Sequence, residues 1–123
     1  PGDMMTNPGA MLIVEKGIDD ASVIPLDRTA HVIGKSAGAD IFADNPYVSR
    51  SHAQISRNGE SFEIRDLGSK NGTYLNGVRL TESDRSRLKN DDRIELARGQ
   101  VILRFSIVGR NRDAPGRGRR RTG

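Results

Sequence analysis

The sequence predicts an all-β sandwich of short, mostly antiparallel strands without a major helix. Three observations predict it. Turn signals punctuate the body of the chain roughly every eight to twelve residues. The segments between them are short, rich in β-branched residues, and in several places alternate apolar with polar. No window of about a dozen residues carries apolar side chains at i, i+3, i+4 and i+7, the spacing of an amphipathic helix. Many short strands with turns at this spacing imply a sandwich or barrel.

The elements follow in order. Residues 1–9 contain two prolines, two glycines and Asn7, and read as a flexible leader. Nine strand segments come next: Met11–Glu15, Val23–Leu26, His31–Ile33, Ile41–Ala43, Ala53–Ser56, Phe62–Arg65, Thr73–Leu75, Arg93–Leu96 and Val101–Val108. In the last, Val101, Leu103, Phe105 and Ile107 face one way while Arg104 and Ser106 face the other; Phe62 and Ile64 alternate with Ser61, Glu63 and Arg65. Between the segments lie Gly17, Asp27–Arg28, Gly38, Asp44–Asn45–Pro46, Asn58–Gly59, Asn71–Gly72, Asn76–Gly77, Asn90–Asp91 and Gly99. Asn-Gly pairs supply the positive φ of tight hairpin turns. Residues 109–123 are arginine, glycine and proline without an apolar run, and read as a disordered Arg/Gly-rich tail or linker. One domain is therefore expected, over residues 10–108.

Composition excludes several classes. Hydrophobic residues are 34% and aromatics 4%, enough for a small core if nearly every apolar side chain is used. The longest apolar run, Ala10 to Val14, is too short to span a membrane, and no secretory apolar region is present. The chain has no cysteine, which excludes disulfide scaffolds, cysteine zinc sites and thiol nucleophiles. A cytoplasmic or other reducing intracellular setting is the expectation. The net charge of +4 belongs to the tail: six arginines and one acid from Arg110 onward leave residues 1–109 with 14 basic and 15 acidic side chains. The body carries no global basic footprint for nucleic acid.

Loops on such scaffolds carry function. Three loop clusters stand out: Gly34-Lys35-Ser36, Ser49-Arg50-Ser51-His52, and Gly68-Ser69-Lys70-Asn71-Gly72-Thr73. They offer ammonium, guanidinium, hydroxyl and carboxamide donors, and glycine turns whose N–H groups form anion nests. Phosphate is the natural guest for such a set. The same residues are also ordinary loop residues, and spacing alone does not choose between these readings.

These three motifs, in this order, with Asp40-Ile41, Pro46-Tyr47-Val48 and Asp66-Leu67 through Asn76-Gly77 between and around them, resemble the forkhead-associated (FHA) domain. The resemblance covers about Leu12 to Val108. It implies a sandwich of about eleven strands that binds phosphothreonine peptides through loops at one end. It implies that Lys35, Ser49, Arg50, Lys70 and Asn71 contact the phosphopeptide. Ser49 would hydrogen-bond the phosphate, and Asn71 would hold the peptide main chain. Ser36, Tyr47 and Arg98 are candidates for flanking contacts. Gly34, His52, Gly72 and Asn76 would support the site, with the glycines read as permissive turn positions. Lys35 departs from the family, which usually has arginine there; lysine keeps the charge and loses the planar fork.

The implied partner is a phosphothreonine-containing protein or peptide, which in turn implies a Ser/Thr kinase. A monomer is expected, with no cofactor, no metal, no membrane and no catalytic residue. His52 lies three residues after Ser49, but no third group is apparent to complete a nucleophilic triad. Two alternatives stand beside the leading one: an FHA-fold scaffold whose phosphate site has decayed at Lys35, and nucleic-acid binding through the arginines of the tail.

Overall fold

The computed structural model describes residues 9–19 and 21–108. The expectations for residues 1–8 of the leader and for the 109–123 tail, its nucleic-acid alternative included, lie outside the described residues. Eleven strands form two sheets, and no helix occurs among the described residues. In chain order the strands are β1 Gly9–Lys16, β2 Val23–Pro25, β3 Ala30–Gly34, β4 Ile41–Phe42, β5 Ala53–Asn58, β6 Ser61–Asp66, β7 Thr73–Leu75, β8 Val78–Arg79, β9 Ser86–Arg87, β10 Arg93–Leu96 and β11 Val101–Val108. One sheet runs β2-β1-β11-β10-β7-β8 and the other β4-β3-β5-β6-β9. The β3–β4 pair is parallel and the other ladders are antiparallel.

Alternation in the sequence becomes two-faced burial. Leu12, Ile94, Leu96, Val101, Leu103 and Phe105 turn inward from the first sheet; Ile33, Ile55, Phe62 and Ile64 meet them from the second. Phe62 and Phe105 join the layers, their ring centroids 5.5 Å apart and tilted by 58°. Such tilted pairs set the positive ring edge near the negative face of the partner. Removing this apolar surface from water drives the two sheets together.

Turn chemistry sets the registers. Asn76 (φ 51°) and Gly77 (φ 86°) form a two-residue hairpin turn between paired Leu75 and Val78, the backbone that Asn-Gly favours. The β10–β11 turn places Ala97 (φ 59°) and Arg98 (φ 60°) in the left-handed region. That region costs a non-glycine residue about 1–2 kcal/mol. The Gln100 N–H closes the turn on the Ala97 carbonyl at 3.1 Å.

Three details differ from the sequence reading. Gly9, assigned to the leader, begins β1 and pairs with Val108, so the two ends of the domain lie side by side. Strands β8 and β9 lie outside the nine segments. Gly34 is the last residue of β3 and has no positive φ, so it is not a permissive turn position.

Candidate functional site

The loops that follow β3, β4 and β6 are stitched together by hydrogen bonds. Beyond the end of β3, the Lys35 N–H donates to the Ser49 carbonyl (3.0 Å) and the Ser36 N–H to the Arg50 carbonyl (3.2 Å). The Lys70 N–H donates to Ser49 Oγ (3.1 Å), and Asn71 Nδ2 donates to the Tyr47 carbonyl (2.8 Å). Lys35, Ser49, Arg50, Lys70 and Asn71 are thus brought to one end of the sandwich. The β10–β11 turn joins them there, with the Arg98 guanidinium over the Tyr47 ring at 5.9 Å from its centroid. Tyr47 is exposed, and its N–H is held by Asn45 Oδ1 at 2.8 Å. Ser36 is half-buried, its Oγ accepting from the Gly38 N–H at 3.2 Å.

His52 is the hub of this stitching. Its side chain is fully buried. The Ser49 N–H donates to Nδ1 (3.0 Å), so that nitrogen carries no proton; Nε2 carries it and donates to the Gly72 carbonyl (2.8 Å). The His52 main chain donates to the Ile33 carbonyl (2.8 Å) and accepts from the Leu67 N–H (2.9 Å). Burial lowers its pKa below the ordinary 6.5, against the opposing pull of the Gly72 carbonyl and Asp66. A neutral imidazole is what the Ser49 bond requires. Because the ring bonds the Ser49 main chain and not its hydroxyl, the two do not form a nucleophile–base pair.

Asp66, at the end of β6, organises the next loop. Its carboxylate accepts from the Gly68 N–H (2.9 Å), the Ser69 N–H (3.0 Å), the Ser69 hydroxyl and the Thr73 hydroxyl (2.7 Å). Ser69 Oγ in turn accepts from the Gly72 N–H at 3.0 Å. The hydroxyls of Ser69 and Thr73, counted among the anion donors in the sequence, are therefore spent inside the protein. Burial alone would raise the Asp66 pKa, but these hydrogen bonds outweigh it and hold it below the ordinary 3.8. A depressed carboxylate contributes stability above its unfolded pKa and loses it as pH falls through its folded one. Thermal melts taken from about pH 5 down to about pH 2 should therefore fall more steeply for the native chain than for Asp66→Asn. Parallel slopes would refute this.

Ser49 Oγ accepts the Lys70 N–H, and among the described residues nothing accepts its own proton. Lys35, Arg50 and Lys70 are exposed, and none forms an ion pair among the described residues. Asn71 spends one amide proton on Tyr47, leaving its other proton and its oxygen. Asn76 is not brought to this cluster. It sits at the other end of β7, where Nδ2 donates to Asp92 Oδ1 and Oδ1 accepts from the Arg93 N–H, each at 2.9 Å. Asp66 is placed by the sequence to cap or brace the turn that follows it, and the structure adds that it also accepts from the Ser69 and Thr73 hydroxyls. The signal is an Asp three residues before Ser69, the spacing of a side chain that caps a turn.

Comparison with known proteins agrees with this architecture. The FHA domain family model matches residues 31–97. An oxoglutarate dehydrogenase inhibitor from Corynebacterium jeikeium is 37% identical over 94 residues, 76% of this chain and 63% of that protein. The glycogen accumulation regulator GarA of Mycolicibacterium smegmatis is 33% identical over 94 residues, 76% and 58% of the two chains. This chain thus spans less than two thirds of these curated relatives. The structure of Mycobacterium tuberculosis EmbR in complex with a low affinity phosphopeptide superposes with a TM-score of 0.72 at 28% identity, over 85% of this chain and 26% of that one. An Arabidopsis thaliana FHA domain shares the fold, with a TM-score of 0.76 at 24% identity over 91% and 92% of the chains. With a family match across more than half its length, and the same sandwich, the chain belongs to the FHA domain family.

Proposed function

We propose that this protein binds phosphothreonine peptides at the stitched loop end. Lys35, Arg50 and the Ser49 hydroxyl meet the phosphate, Lys70 lends charge, and Asn71 holds the peptide main chain. The observation that carries this reading is that one main-chain hydrogen-bonded framework brings together three cations without ion pairs and a hydroxyl proton without an acceptor, among the described residues. A phosphothreonine carries about −1.5 to −2 charges and three acceptor oxygens, which match this set. Relatives named an inhibitor and a regulator suggest that it controls a phosphorylated partner by contact, without catalysis.

Calorimetric titration with matched phosphothreonine, phosphoserine and unphosphorylated peptides tests the reading. Binding to the first only, or about fivefold or more over the second, is expected, since one buried methyl is worth roughly 1 kcal/mol. Ser49→Ala should weaken binding by about tenfold or more, the scale of a hydrogen bond to a charged group, while the protein stays folded and loses only the modest stability of the Lys70 N–H bond. Lys35→Arg should strengthen binding by restoring the fork. A folded protein that binds no phosphothreonine peptide would support the silent scaffold instead.

A further inference from the structure

Two exposed charges on the segment from β8 to the β8–β9 loop, Arg79 and Glu82, lie over glycines and have no charged partner among the described residues. Arg79 pairs across its ladder with Tyr74, and its guanidinium lies over Gly72. A Cβ on Gly72 would sit 3.0 Å from Nε and 3.1 Å from Cζ. Glu82 covers Gly68 in the same way, its carboxylate oxygen 3.0 Å from where a Cβ would stand. Between them Leu80 is buried, and its N–H donates to the Thr73 carbonyl at 2.9 Å. Neither charge makes an ion pair or side-chain hydrogen bond among the described residues. With Asp66, Ser69 and Thr81 they line an open pocket of about 390 Å³. The 68–72 loop under that pocket is the one that carries Lys70 and Asn71.

We infer that this pocket is a charge-reading subsite for the bound peptide, in which Arg79 takes an acidic side chain and Glu82 limits how much negative charge is accepted. The inference rests on the phosphothreonine-binding reading above. Gly72, on which Arg79 rests, directly follows Asn71, the residue assigned to the peptide main chain. An extended peptide advances about 3.3 Å per residue and turns alternate side chains to one side. In this subsite the side chain that meets the guanidinium is one a few residues from the phosphothreonine. The planar fork of arginine matches a carboxylate. Asp66 does not compete for Arg79, because its oxygens are taken by Ser69, Thr73 and Gly68. At an exposed site the preference should be a few-fold, not orders of magnitude.

The test titrates the full chain with an alanine-based phosphothreonine peptide in which each flanking position in turn carries Asp, Ala or Lys. At one or two positions the Asp peptide should bind about three- to fivefold more tightly than the Ala peptide. Arg79→Gln removes the charge and the fork that lie over Gly72 while keeping the stem; it should erase that advantage, weakening the Asp peptide more than the Ala peptide. Arg79→Lys should retain part of it, and Glu82→Gln should widen it. An Asp preference at no position, or one that survives Arg79→Gln, overturns the subsite while phosphothreonine binding stands. Equal weakening of the Asp and Ala peptides by Arg79→Gln also overturns it, since that marks a structural role. If no phosphothreonine peptide binds, or Ser49→Ala binds as the native chain does, the functional reading itself fails and the subsite falls with it.

Discussion

Gly34→Ala should lower stability by about 3 kcal/mol or more and abolish phosphopeptide binding, although Gly34 offers no side chain to a ligand. The reason is a close approach. A Cβ there would stand 2.7 Å from the Arg50 carbonyl carbon and 3.1 Å from the Ser49 carbonyl oxygen, and would overlap the Arg50 carbonyl oxygen. All of these atoms are main chain and cannot swing aside as a flexible side chain would. Gly34 is also tied on its other side, where its carbonyl accepts from the Ala43 N–H at 2.9 Å. Making room means driving residues 49–50 away from β3, which breaks the Lys35–Ser49 and Ser36–Arg50 bonds. Gly38→Ala is the matched control: a Cβ there meets only Ser36 Oγ, at 3.8 Å. Urea unfolding of both variants decides the matter. Equal midpoints would show that the approach of the 49–50 turn to β3 can relax.

Sheet strands that show period-two alternation over four residues or more were legible in the sequence, because half of each faces the core. The β11 pattern of Val101, Leu103 and Phe105 is buried as read, with Ile107 half-buried at its end. Strands β8 and β9 are two residues each, Val78–Arg79 and Ser86–Arg87, and two residues cannot show a period. The parallel partnership of β3 and β4 depends on tertiary packing that no local signal encodes. At the site, residue types and the supporting positions of His52 and Asp66 were legible, but which loop hydroxyls are spent inside the protein was not. A hydroxyl reads as a donor to a ligand until a buried carboxylate such as Asp66 is seen to accept from it. Gly34 shows the same limit: the sequence announces a glycine, and only the fold says whether conformational freedom or the missing Cβ is in use.

The cations and the hydroxyl of the site are placed by main-chain bonds from different loops, so function depends on whatever ties those loops together. His52 does this through both ring nitrogens. His52→Ala should cost about 3–5 kcal/mol, because it leaves a cavity and strands the Ser49 N–H and the Gly72 carbonyl in a buried setting. Binding should fall with it even where the protein is kept folded by low temperature. Acid should reproduce part of the effect. The folded pKa of His52 lies below 6.5, so between that lowered value and 6.5 the unfolded chain binds more protons than the folded one. Stability should therefore decline as pH falls below 6.5, with the Asp66 contribution lost separately below 3.8. Once Nδ1 is protonated it cannot accept from the Ser49 N–H, and the two become opposing donors. Unfolding free energies taken across this range without ligand keep the phosphate's own titration, near pH 6, out of the measurement. The native chain should lose stability through the upper part of the range, and a folded His52→Gln variant should not. Parallel profiles would mean that another group controls the acid response.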